Sequence, residues 1–101
     1  MLELDPKDLE LDVFDPAEHL DSPEVIQAYL DEAVASGDPA FIADSLGVIA
    51  RAKGMTELAN KTGLSRETLY RTLSKKGNPN LKTLMAVTKA LDVHVNIGSV
   101  A

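Results

Sequence analysis

Apolar positions recur at spacings of three and four over most of the chain, the period of an amphipathic helix. In residues 22–37, Val25, Ile26, Tyr29, Leu30, Ala33 and Val34 fall on one face, behind the start signal Ser22-Pro23-Glu24 and ahead of a stop at Gly37. Asp38-Pro39 opens a second helix, which turns Phe41, Ile42, Leu46, Ile49 and Ala50 inward and ends near Gly54. Residues 55–73, MTELANKTGLSRETLYRTL, read as two short helices joined by a corner at Gly63 and Leu64. Leu58 and Ala59 belong to the first helix, and the small Ala59 lets the pair cross closely. Gly63 suits the corner because it takes left-handed backbone without steric cost. Ser65 suits the start of the second helix because its hydroxyl accepts from a first-turn N–H. That helix turns Leu69 and Leu73 inward. A loop of turn formers at residues 74–79 follows. Asn80 then caps a last helix that buries Leu81, Leu84, Met85, Val87 or Thr88, and Leu91.

Two stretches alternate instead. Residues 93–97, Val-His-Val-Asn-Ile, predict a short strand closed by Gly98. A single strand lacks a mate in a helical chain. Val93, Val95 and Ile97 are therefore expected to pair with the same strand of a second copy, giving a two-fold homodimer. Near the N-terminus Leu9, Leu11 and Val13 alternate with Glu10 and Asp12, ahead of Phe14. That stretch is either a strand that adds to a partner's sheet or a frayed tail. Asp15-Pro16-Ala17-Glu18 is a capping box that starts a turn of helix. The predicted fold is all-α, about five helices with a short C-terminal strand. An acidic segment at 1–21 precedes a single helical domain at 22–101.

Charge changes this picture more than composition does. The chain has 101 residues, enough for one small domain, and its net charge is −6. Residues 1–54 carry 13 acidic and three basic side chains, while residues 55–101 carry three acidic and seven basic ones. Such asymmetry suits two partners, a polyanion for the basic half and a basic protein for the acidic half. The bland alternative is that the acidic residues, Glu24, Asp31, Glu32 and Asp44 among them, only solvate outer helix faces. Cysteine is absent, which excludes disulfides and thiolate metal sites. No apolar run is long enough to span a bilayer and no basic-then-apolar leader opens the chain, so a cytoplasmic protein is expected. His19 and His94 lie far apart and neither sits in a metal-ligand spacing. Gly54, Gly63 and Gly77 mark helix ends, not a phosphate cradle, so neither catalysis nor a cofactor is expected.

The pair of short helices has the helix-turn-helix pattern, whose second helix enters a major groove. Arg66, Glu67, Thr68, Tyr70 and Arg71 are its outward residues and the candidates for base edges. The two arginines lead, because a guanidinium can bond guanine O6 and N7 together. Thr56, Lys61, Ser65, Lys75, Lys76, Asn78 and Asn80 flank the motif where backbone phosphates would lie.

The run LANKTGLSRETLYRTLSKKGNPNLKTLMAVTKALDV resembles the Cro/phage-repressor (XRE-like) type of helix-turn-helix domain over residues 58–93. The resemblance implies a lambda-repressor-like arrangement and binding to operator DNA. One departure is Thr72, where that family places an apolar residue; Leu73 beside it can take the packing role. Taken whole, FDPAEHLDSPEVIQAYLDEAV, GDPAF and ARAKGM followed by LSRETLYRTLSKKGNPNLKTL resemble the probable addiction module antidote antitoxins, which are encoded beside RelE/ParE-type toxins. This second resemblance implies an antitoxin of a type II toxin–antitoxin module that binds its toxin directly and represses its own operon. It points to the acidic half for the toxin, with Leu9, Leu11, Val13, Phe14, Asp31 and Glu32 as candidate contacts. The alternative is a phage-type transcriptional repressor with no toxin partner, its first helices being only structural.

Overall fold

Short-range capping signals set the helix ends. The computed structural model describes residues 16–97. A single 3-10 turn, Pro16–His19, stands where the capping box predicts a turn of helix. Helix α1, Pro23–Ser36, begins at Ser22, whose Oγ accepts the Val25 N–H at 3.2 Å. It ends at Gly37, whose N–H donates to the Val34 carbonyl at 3.0 Å. Helix α2, Pro39–Lys53, begins at Asp38, whose carboxylate accepts the Ala40 N–H at 3.0 Å. Helices α3, Met55–Thr62, α4, Arg66–Thr72, and α5, Leu81–Leu91, complete the set. The five helices that periodicity predicts are present.

Helix α2 is the axis of the core. It touches the 3-10 turn and all four other helices. An amphipathic stripe was the expectation for it, yet Ala43 and every residue from Ser45 to Ala50 are buried. Over these middle turns the helix has neighbours on every side, and small side chains then decide how close the neighbours come. Gly47 shows this best, because a Cβ there would collide with the carbonyl oxygen of Leu73 at the end of α4. Around α2 lie Leu30, Leu58, Leu69, Val87 and Leu91, all in one apolar cluster. Leu73 is buried beside a half-buried Thr72, so the apolar packing role does fall to Leu73. Val87 is fully buried and Thr88 only partly, which decides between the two.

Three side chains expected in the core are on the surface. Val25 is 42% exposed, Leu81 70% and Met85 63%. Periodicity identifies a stripe, but its width depends on how many elements lie over the helix, and nothing among the described residues covers these flanks.

The expected C-terminal strand is a correction. No strand occurs among the described residues, and residues 93–97 run without a ladder. A strand exists only through its pairing, and here a side chain takes both backbone bonds of His94. The His94 N–H donates to Gln27 Oε1 at 2.9 Å, and Gln27 Nε2 donates back to the His94 carbonyl at 2.8 Å. The alternation is real but serves burial in this chain: Val93 is in the core, Val95 packs against it, and Ile97 is exposed. The expectation for residues 1–14 lies outside the described residues.

Gly47→Ala should destabilise the fold, because overpacking costs about 1–3 kcal/mol and alanine regains only about 1 kcal/mol over glycine in helix propensity. Equilibrium urea unfolding measures this. An unchanged midpoint would mean that α2 and α4 can slide apart without cost.

Candidate nucleic-acid interface

The candidate surface is built outward from Leu58, Leu69 and Leu73, whose burial pins α3 and α4 to α2. Between these two helices the chain turns at Gly63, which has a φ of 75° and donates its N–H to the Ala59 carbonyl at 2.9 Å. The Thr62 hydroxyl donates to the Leu58 carbonyl at 2.8 Å and accepts the Leu64 N–H at 3.3 Å, closing the corner. Ser65 then caps α4, its Oγ accepting the Thr68 N–H at 3.0 Å. With Leu69 inward, Arg66, Glu67, Tyr70 and Arg71 all stand exposed. At 100° per residue these four positions span an arc of roughly 140° on one side of α4.

The sequence candidates separate into two groups once their bonds are traced. Thr68 is half-buried, and its Oγ1 lies 2.9 Å from Ser65 Oγ, so both hydroxyls are engaged with one another and with the helix start. Asn80 Oδ1 accepts the Thr83 N–H at 2.8 Å as the N-cap of α5. Lys61 stands 3.1 Å from Glu57 one turn earlier on α3, both well exposed. An exposed pair of this kind holds together weakly and is readily exchanged for another partner. Arg66 places its guanidinium carbon 6.0 Å from the centre of the Tyr70 ring, at the outer reach of a cation–π contact. Arg71, Lys75, Lys76, Asn78 and Thr56 are exposed, and none of the three cations has a carboxylate partner among the described residues.

On the opposite side of the charge division, Asp31 and Glu32 are exposed on α1 together with Glu24. Asp31 accepts from Gln27 Nε2 at 2.8 Å, the same nitrogen that reaches the His94 carbonyl. Tyr29 is half-buried beside them. Burial, and then the Asp44 carboxylate, push its phenol above the ordinary value of 10, so it remains a neutral group at physiological pH. Leu9, Leu11, Val13 and Phe14 lie outside the described residues.

Two polar residues with structural roles went unnoticed in the sequence. Gln27 bridges α1 to residue 94, and Lys53 donates from Nζ to the Leu91 carbonyl at 2.6 Å, closing the C-terminal end of α5. Both contacts join residues far apart in the chain, 67 and 38 positions respectively, and no local pattern encodes such a pairing. No group of three or more His, Cys, Asp or Glu side chains suited to a metal ion occurs among the described residues. Nor is any helix among them long and apolar enough to cross a membrane.

Comparison with known proteins covers nearly the whole chain. A family model described as probable addiction module antidote protein matches residues 10–99. A protein of Haemophilus influenzae (strain ATCC 51907 / DSM 11121 / KW20 / Rd), named only as uncharacterized, is 46% identical over 84 residues. That match spans 83% of this chain and 87% of the relative. No solved structure matches the chain.

The caps make a direct prediction. Ser65→Ala and Asn80→Ala should each lower stability by about 1 kcal/mol in thermal or urea unfolding, while Asn80→Asp, which retains a capping oxygen, should lower it by less. Equal losses for Asn80→Ala and Asn80→Asp would remove capping as the role of that side chain.

Proposed function

Because the chain belongs to the probable addiction module antidote family, we propose that it is an antitoxin that neutralises a cognate toxin by direct contact and represses its own operon by binding operator DNA. The observation that carries the DNA half of this reading is the exposed row of Arg66, Glu67, Tyr70 and Arg71 on a capped helix, followed closely by Lys75 and Lys76. A short helix held by its buried face and offering two guanidiniums outward suits a major groove, where such groups bond guanine edges. Arg66 and Arg71 read bases, with Glu67 and Tyr70 beside them to accept from cytosine or touch a thymine methyl. Lys75 and Lys76, together with Asn78, Thr56 and Lys61, contact phosphates, where the attraction is independent of sequence. Ser65, Thr68 and Asn80 hold the helix starts, and their contribution to DNA passes through the backbone they position.

The antitoxin half rests on family membership and on charge. Glu24, Asp31 and Glu32 present carboxylates on α1, and residues 1–15 add further acidic side chains interleaved with Leu9, Leu11, Val13 and Phe14. Carboxylates in this number suit a basic protein, and a RelE/ParE-type toxin is the partner we assign to them. The antidote family match favours this over a repressor with no toxin partner.

Co-expression with the product of the adjacent reading frame tests the toxin half. A small basic protein should co-purify with the chain, and its toxicity should disappear. Failure to bind or to protect refutes the assignment. For the DNA half, Arg66→Ala/Arg71→Ala should flatten the preference for upstream operator sequence over unrelated DNA. Lys75→Ala/Lys76→Ala should instead weaken binding to every sequence and reduce the salt dependence by about one unit of slope per lysine. Persistence of operator preference without the two arginines would take base reading away from α4.

A further inference from the structure

The cations around α4 are left unneutralised by the rest of the fold. Arg66 and Arg71 on α4, and Lys75 and Lys76 just after it, are exposed, and Glu67 is the single acidic side chain within residues 66–78. Among the described residues no carboxylate closes an ion pair with any of the four. Asp38 and Asp44 line a recess with Lys75 without reaching ion-pair distance of it. Tyr70, on the same helix as the two arginines, is 46% exposed and adds apolar surface.

The complementary pattern lies elsewhere in the same chain. Residues 1–15 hold six carboxylates against one lysine, and Leu9, Leu11 and Val13 alternate with Glu10 and Asp12. They join the described fold at Pro16. Fully extended, a segment of this length reaches about 50 Å. A folded body of roughly 80 residues is on the order of 30 Å across, so no part of its surface is out of reach.

We propose that residues 1–15 are an internal competitor for nucleic acid, seating their carboxylates on Arg66, Arg71, Lys75 and Lys76 of the same chain. The competitive role rests on the DNA reading above; the contact itself does not. Tethering makes a weak contact effective. An ionic contact with a dissociation constant of about 0.1 mM, held at an effective concentration of about 1 mM, lowers DNA affinity by about tenfold. A basic protein that captures residues 1–15 would release the cations, so the two proposed partners would favour one another.

The chain contains no cysteine, so a nitroxide on the Leu4→Cys variant labels one position of the full chain. In the absence of DNA it should broaden the amide resonances of residues 66–76 most, and these should recover in about 1 M salt, where ionic contacts are screened. Replacing the six carboxylates of residues 1–15 by their amides should raise affinity for a duplex of unrelated sequence by about tenfold at low salt. Its circular dichroism should match that of the parent chain, because none of the six belongs to the described helices. Broadening that is absent, or strongest away from residues 66–76, would overturn the contact and leave the DNA reading standing. An unchanged duplex affinity would overturn the competition. Broadening of unlabelled chain mixed with labelled chain would move the contact to a second copy and overturn the internal competitor. Failure of both chains to bind any duplex would refute the DNA reading, and the competitive role with it, even where the label broadens residues 66–76.

Discussion

The close approach between the α2 backbone at Gly47 and the carbonyl of Leu73 is the constraint on which the placement of α4 depends. Helix α4 is only seven residues long and holds little of its own stability. Its orientation comes from Leu69 and Leu73 packing on α2, and that packing requires the absence of a side chain at position 47. The direction in which Arg66 and Arg71 emerge is thus decided on the far side of the helix, by a hydrogen atom where any other residue would have carbon. A surface that appears polar and local is positioned by apolar contacts with a helix that begins at Pro39.

Polar groups around α3 and α4 divide the same way. Ser65, Thr62 and Asn80 are engaged with backbone atoms that a helix end leaves unsatisfied, so their chemistry is directed inward to the chain. Arg71, Lys75 and Lys76 have no such engagement among the described residues. Cations close together in the sequence raise the local positive potential in a chain whose total charge is −6. Distribution therefore matters more than sum in deciding which polymer this molecule can approach.

Helix boundaries were legible in the sequence because capping is a short-range interaction. Ser22 with Pro23, Asp38 with Pro39, Gly63, Ser65 and Asn80 act within about one turn of their own position. Burial was legible only in part. The same three-and-four spacing underlies Ile26, which is buried, and Val25, Leu81 and Met85, which are not. That spacing gives the direction of a side chain and leaves open what stands in front of it. All-round burial of the middle of α2 was invisible for the same reason, since it reflects five neighbouring elements and not one stripe. At the candidate site, exposure of Arg66, Glu67, Tyr70 and Arg71 agreed with their outward assignment. The capping bonds of Ser65 and Asn80 could have been separated from phosphate contact by their positions immediately before a helix. Gln27 and Lys53 could not have been found, because each meets a backbone atom distant in sequence.

The carboxamide of Gln27 holds the backbone of His94 by a donor and an acceptor at once, as a neighbouring extended chain would. Residues 93–97 alternate valine and isoleucine with polar side chains, a composition prone to cross-chain stacking when its edge is open. A glutamine 67 positions away meets this edge at His94 from within the same molecule. Cover for that edge is thereby tied to the first helix of the fold, and fraying of α1 would remove it.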